Sequence, residues 1–540
     1  MTKNPIIQNG ASIGQLSAEA DDEFLFECFF DHPIVAEVRS PQSPKMIILG
    51  STGIGKTAAL RMIEKLEERV YSVELDELSL NYISNSNVIS FLTELGVPMD
   101  HFFQALWKHV ICVEYIKLRY AIKSEDSSKR WFGNLKDAFS GDGAKKRALA
   151  YLEKWEGKFW ISVDETVKEI TETLEKAIEA NFTTELEKFA LDAGFVRKLG
   201  QEKKTQLVQR VKSVVDADLL TELAQVIRLL SAYDSNGQAS HYVLIDKLDE
   251  NWIGDNVKFS LIRSLIEALK SMRKIRNLKV VVALRADLME KVIEETKEDG
   301  FQSEKYEDYF ARISWTPEQL RTLVNDRINF LYRRKYTKQN VFFDDIMPPV
   351  INKVKTFPFL IERTLLRPRD IITFVNLCFA QGAEKTEISK SDVLKAELIY
   401  STNRYDAMVD EWRPVYPAIE PCLKVLRERR ESFLLSELNT SRFADTLLEE
   451  LVADRRYEKD PLFQLVDNSV TSGSDIHVFT LVQSLMVRLH LVGAIGVNTS
   501  PQQPFQWFYK THRRIAPTVL TSSSKVRIHP MLQAALATIR

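Results

Sequence analysis

One stretch constrains this chain more than any other. From Lys45 to Leu66 an apolar run leads into Gly50-Ser51-Thr52-Gly53-Ile54-Gly55-Lys56-Thr57, and then into residues with Leu60, Ile63 and Leu66 at helical spacing. This is the G-x-x-x-x-G-K-[ST] pattern in a strand–loop–helix setting. The glycines permit backbone angles that side chains forbid, so successive N–H groups can turn toward phosphate oxygens. The helix opening near Lys56 aims its positive end at the same place. Lys56 is expected on the β- and γ-phosphates of ATP, and the Thr57 hydroxyl on Mg²⁺. Gly50, Ser51, Thr52, Gly53, Ile54, Gly55, Lys56 and Thr57 are therefore the expected nucleotide-binding residues.

A length of 540 residues is enough for several domains of roughly 150 residues each. With a net charge of −2, no global field steers the chain to nucleic acid or membrane, so any such site must be local. Cys28, Cys112, Cys378 and Cys422 are far apart and form no C-x-x-C pair, which argues against a zinc knuckle and for a reducing cytoplasm. The first ten residues hold no apolar run of signal-peptide length, and no run reaches the roughly 18 residues of a membrane span. Gly10-Ala11-Ser12-Ile13-Gly14 matches the hydrolase G-x-S-x-G pattern without a preceding strand, and reads as chance.

Residues 21–37 read as a short helix beside the loop, and Tyr71–Leu75 as a second strand. From about Asn81 the pattern becomes long helices, with Phe102, Leu106, His109, Val110, Val113, Ile116 and Leu118 on one face. After a Gly-containing break, Val163, Val167, Ile170, Leu174 and Ala177 step as in a coiled-coil hairpin or bundle helix. Residues 125–235 read as an inserted stalk or platform, or as a solvated charged helix.

His241-Tyr242-Val243-Leu244-Ile245-Asp246 is an apolar strand ending in an acid, the Walker B arrangement that brings Asp246 to the Mg²⁺ on Thr57. Where many ATPases of this broad class place a second acid, this chain has Lys247. Asp249 and Glu250 are the remaining candidates to orient the attacking water. Leu278–Arg285 reads as another buried strand. Arg285 at its end is a γ-phosphate sensor or a partner of Asp287. Arg312-Ile313-Ser314-Trp315 reads as a fifth strand. Arg312 at its start is a candidate arginine finger for a neighbouring subunit.

Past Pro317 the chain reads as helical. Arg367-Pro368-Arg369-Asp370 introduces a helix over Ile371–Ala380, where Arg367 and Arg369 either contact phosphates or serve helix capping. A new packing unit is expected from Glu411-Trp412-Arg413-Pro414. A helix through Leu491, the Gly493–Gly496 turn, two short strands and a closing helix read as a winged helix. No Asp or Glu follows Asp475, and Lys510, Arg513, Arg514, Lys525 and Arg527 cluster with Trp507 and Tyr509. That patch fits DNA or an acidic neighbouring domain.

Four segments together carry a resemblance. The phosphate loop, Val243–Trp252, Ala283-Leu284-Arg285-Ala286-Asp287 and Arg367–Ile372 resemble bacterial P-loop ATPases related to the STAND and KAP classes and, more distantly, AAA+ origin-recognition proteins. The resemblance implies an ASCE parallel sheet, a helical lid, a C-terminal winged helix and nucleotide-driven assembly. It also implies a setting in defence against phage or mobile DNA, with an effector protein as partner. Lys247 departs from the double-acid pattern and points to slow turnover.

The expected organisation is an α/β P-loop NTPase core over residues 1–80 and 236–316, a helical insertion over 81–235, a helical lid over 317–400 and a winged-helix-like domain over 401–540. The expected function is a cytoplasmic, homo-oligomeric ATPase using ATP and Mg²⁺ as an assembly switch. The alternatives are a DNA-handling ATPase of loader or initiator type, and a scaffold that holds ATP without hydrolysing it.

Overall fold

The structure is a computed structural model, and it describes residues 6–78, 99–122, 143–155, 205, 219–232, 239–250, 255–296, 302–335, 339–472, 475–500 and 502–539. The stepped pattern at Val163–Ala177 lies outside the described residues. The chain packs into two compact units. One comprises residues 31–51 and 56–313; the other comprises 1–30, 52–55 and 314–540.

The first unit is built on a parallel sheet. Its strands are β1 (Ile47–Gly50), β2 (Val70–Val73), β3 (His241–Ile245), β4 (Leu278–Arg285) and β5 (Phe310–Arg312), in the order β2-β3-β4-β1-β5. Strands β1 and β3 are buried along their whole length and β4 up to Arg285. Helices must therefore cover both faces, and uninterrupted Ile, Val and Leu runs supply that burial. Register aligns Gly50 with Arg285, and Ile245 with Val282. The carboxyl ends of β1, β3 and β4 thus share one edge, where open α/β sheets take their ligands.

Two strands differ from expectation. Strand β2 stops at Val73, because Leu75–Leu78 turns into a short helix. Strand β5 is Phe310–Arg312 rather than 312–315: the apolar Phe310 and Ala311 pair with Ile47 and Ile48, which leaves Arg312 at the strand's end. The segment 21–37 is two helices, Asp22–Glu27 and Pro33–Arg39, separated before Pro33, which cannot continue a helix from the preceding residues.

This unit also has helices α1 (Lys56–Leu66), α2 (Asp100–Tyr120), α3 (Asp255–Met272) and α4 (Ala286–Glu295), with two more over Gly143–Trp155 and Leu219–Ala232. Helix α2 buries more than the one expected face: Phe103, Trp107, Ile111 and Tyr115 are also inside. Helix α2 lies against α3, with Trp107 Nε1 donating to the Leu261 carbonyl at 2.9 Å. Tyr115 Oη donates to Asn277 Oδ1 at 3.0 Å, just before β4.

The second unit has α5 (Pro317–Lys335), α6 (Pro368–Gln381) and α7 (Lys390–Trp412), with one continuous core from Leu320 to Leu536. The N-terminal segment straps across it. Ile7 N–H donates to the Lys385 carbonyl and the Ile7 carbonyl accepts from Glu384 N–H, Ile13 N–H donates to Asn376 Oδ1 at 2.9 Å, and the buried Arg327 holds Asp21 at 2.7 Å. Ser12 of the G-x-S-x-G match gives its hydroxyl to the Gly14 carbonyl, an ordinary turn contact. The tail carries an antiparallel sheet of β6 (Ser432–Leu434), β7 (Ile495–Asn498) and β8 (Lys525–Ile528), in the order β6-β8-β7. Helices α8 (Ser441–Val452) and α9 (Asp475–Leu491) lie between β6 and β7 in the chain. Ser401 on α7 donates to the Met531 carbonyl and accepts from Ala535 N–H, so the tail docks onto that helix.

Candidate functional site

In the sheet unit, Lys56 opens α1 directly after the Gly-rich turn. Its Nζ donates to the carbonyls of Gly50 at 3.1 Å and Ser51 at 2.9 Å. Burial pushes the Lys56 ammonium down to about 8. The charge of Asp249 opposes that most among its charged neighbours, ahead of Asp246 and Asp287. Thr57, next on α1, lies close enough to Asp246, just past β3, to favour its ionised carboxylate. Burial raises the Asp246 carboxyl above its usual range, while Thr57, the Lys247 N–H and Lys56 pull it back.

Lys247 is strained. Its φ is 60°, in the left-handed region that costs an L-residue about 1–2 kcal/mol. Its N–H donates to Asp246 Oδ1 at 2.8 Å, and its ammonium lies 3.9 Å from Glu250. The position that many such ATPases give to a second acid is therefore held by a lysine whose ammonium is near Glu250. Arg285 is clasped by Asp287, with Nε and Nη2 at 3.0 and 2.6 Å, and its Nη1 reaches Asp249 at 3.1 Å. Arg312 is exposed and pairs with the exposed Glu307 at 3.0 Å.

In the other unit the loop residues 52–55 have their own neighbours. Gly53 (φ 75°) and Gly55 (φ 105°) are left-handed, so the turn needs glycine. At Gly53 a Cβ would also lie 2.9 Å from Cβ of Arg369. Arg369 N–H donates to the Gly53 carbonyl at 3.3 Å, and its Nε to the Leu16 carbonyl at 3.2 Å. Trp315 Nε1 donates to the Ile54 carbonyl at 2.8 Å. Thr52 Oγ1 is buried and has no hydrogen-bond partner among the described residues.

The two arginines ahead of α6 thus part company. Arg369 touches the loop, whereas Arg367 is buried and bound to Glu411 at 3.1 Å. The Arg367 pairing takes it into the packing of α6 on α7, together with Asp370–Arg404 at 2.7 Å. Trp315 and the strap residue Leu16 were not singled out from the sequence, whereas Asp287 was named there as a possible partner of Arg285. The positive φ at Gly53 was the one local signal that another chain segment comes close there.

In the tail, Lys510, Arg513, Arg514, Lys525 and Arg527 are all exposed. The aromatics grouped with them are engaged elsewhere. Trp507 lies on Gly496, where a Cβ would meet its ring at 2.6 Å, and both Trp507 and Tyr509 pack edge-on against the buried His529. Helix α9 has Leu481, Val482, Leu485, Met486, Arg488, Leu489 and His490 buried, so it offers little polar surface. No helix among the described residues is long and apolar enough to cross a membrane.

Residues 318–409 match the model of the FunZ-associated C-terminal helical domain. No curated protein sequence matches the chain. A solved structure, the Walker-type ATPase PABY2304 of Pyrococcus abyssi, aligns over 94% of this chain and 95% of that one, with 11% identity and a TM-score of 0.34. The chain is similar to that protein only at this level.

Proposed function

We propose that the chain is a P-loop ATPase that binds ATP and Mg²⁺, hydrolyses slowly, and uses the nucleotide as an assembly switch. The observation that carries this is the conjunction at one sheet edge: Lys56 folded back on the loop carbonyls, with Thr57 next to it close to the half-buried Asp246. Lys56 would exchange two neutral carbonyls for phosphate oxygens. The unpartnered Thr52 hydroxyl and the left-handed Gly53 and Gly55 suit a close phosphate approach. Thr57 and Asp246 are hard oxygen donors that fit Mg²⁺. When bound, that ion would neutralise charge on the β- and γ-phosphates. Arg369, already on the loop at Gly53, is better placed to meet a phosphate than the buried Arg367.

A lysine in place of the second acid fits slow turnover, because a charged ammonium cannot accept a proton from water. Residues 317–400 would act as the lid and the tail as a winged helix, whose β6-β8-β7 sheet with intervening helices suits that reading. The setting in defence against phage rests on the four motifs and is supported by the FunZ-associated match. A second reading, DNA contact through the tail, is favoured by the five exposed cations.

The test is calorimetric titration of ATP·Mg²⁺ into wild type and Lys56→Ala. Losing a charge-assisted contact worth roughly 1.5–3 kcal/mol should weaken binding about tenfold or more. Equal affinity in the two proteins would overturn the site.

A further inference from the structure

The sequence left two acids, Asp249 and Glu250, as candidates to orient the attacking water. Resting on the ATPase reading above, we infer that Asp249 is that carboxylate and that Arg285 is its positioning residue rather than a phosphate sensor.

Two observations separate the acids. Asp249 is held by Arg285 at 3.1 Å, whereas Glu250, with its side chain 59% exposed, faces the Lys247 ammonium at 3.9 Å. Asp249 is also the carboxylate whose charge acts most on Lys56, and Glu250 is not among that lysine's leading neighbours. Although held by Arg285, Asp249 keeps its side chain 37% exposed, so the carboxylate is not closed off from water.

The guanidinium explains the arrangement. All three of its nitrogens donate to carboxylates: Nε and Nη2 to Asp287, and Nη1 to Asp249. Asp287 is itself nearly buried, at 7% exposure, and fixed in the first turn of α4. A bidentate pair of this kind locks the plane of the arginine. Arg285 sits beside Gly50 in the register of β4 and β1, so the clasp holds Nη1 at the sheet edge. To act as a sensor, Arg285 would have to leave two carboxylates. To position Asp249 it need not move.

In the step itself, the water oxygen bonds to the γ-phosphorus while the bond to the bridging oxygen breaks. The electron pair of that bond leaves with ADP, and the water proton ends on phosphate. Asp249 accepts a hydrogen bond from the water and aligns it.

The experiment measures ATP·Mg²⁺ affinity and steady-state kcat for Asp249→Asn, Glu250→Gln, Arg285→Ala, Arg285→Lys and the Asp249→Asn/Arg285→Ala double variant. Asp249→Asn is expected to lower kcat about 100-fold, within the range for a positioned acid–base group, and Glu250→Gln by less than about tenfold. ATP affinity should stay within about twofold, which also certifies the fold of each variant. Arg285→Ala should lower kcat alone, Arg285→Lys should recover part of it, and the double variant should be no worse than Asp249→Asn. Additive losses, or an Arg285→Ala variant that loses ATP affinity while keeping kcat, would overturn the positioning role. If Arg285→Ala does not fold, Arg285→Lys combined with Asp249→Asn supplies the same cycle. Wild-type protein that binds no ATP, or binds it without turnover, overturns the ATPase reading and this one together.

Discussion

Lys279 stands where a buried parallel strand would ordinarily take another valine. It is 2% exposed, and its Nζ donates to the carbonyls of Ser43 and Lys45, which fixes the approach to β1. A neutral amine can make both bonds, and burial, reinforced by Arg273 and opposed by Glu37, pushes its ammonium from 10.5 down to about 8. The sign follows from linkage: the unfolded chain holds this proton more tightly, so the cost of burying the cation is full below about pH 8 and is relieved toward pH 10.5. Wild type should therefore gain about 1–3 kcal/mol relative to Lys279→Met between those limits, read from urea unfolding at each pH. A difference that does not change with pH would mean the lysine is buried without a shifted proton affinity. No sequence pattern announced this residue, because its partners are backbone carbonyls more than 230 positions away. Lys56 was legible because its loop is local, with every residue that shapes it within a few positions. Arg285 was legible as a partner of Asp287, two residues on, but its second contact with Asp249 was not, because Asp249 lies on another element 36 positions away.

At the level of elements, apolar runs ending at Gly50, Asp246 and Arg285 were readable, since a strand buried on both faces needs little more than Ile, Val and Leu. The short edge strands were less so: β2 gives way to the helix Leu75–Leu78, and β5 keeps only Phe310–Arg312 paired with β1. The tail's aromatics misled for a related reason. Composition groups Trp507 and Tyr509 with the basic residues, but packing on Gly496 and His529 takes their rings. What remains exposed is Lys510, Arg513 and Arg514 together with Lys525 and Arg527, which alternate outward along β8. Without stacking rings, and with α9 mostly buried, DNA contact here would be to phosphates and would not read bases. Binding should be indifferent to sequence and fall steeply with salt. Reversing Arg513 and Arg514 to Glu should reduce the salt slope by about two and weaken low-salt affinity roughly tenfold, measured by fluorescence anisotropy on unrelated duplexes. An unchanged slope would leave the patch as a docking face for an acidic protein surface.

For the molecule as a whole, the question is what completes a site that is poor in transition-state help. Lys247 cannot accept a proton from water while charged, and it is turned to Glu250. Asp249 can align water, but among the described residues around Lys56 and Asp246 the one arginine at that edge, Arg285, is held by Asp287 and Asp249. Arg312 is the contrasting case. It stands at the end of β5, about half exposed, and its partner Glu307 is more exposed still. Such a surface pair is worth only about 0–1 kcal/mol, so a neighbouring copy carrying ATP could draw the guanidinium away at little cost. The proposed consequence is that ATP binding does not depend on assembly, whereas turnover does. Specific activity should rise with protein concentration, by at least about tenfold once copies associate, as supplying an arginine in trans does for other phosphoryl-transfer sites. Arg312→Ala should keep ATP affinity and lose that rise, with assembly state checked by light scattering in the same samples. Fast turnover by a demonstrated monomer would remove the need for a second copy. A variant that assembles and still accelerates would show that another group supplies the charge.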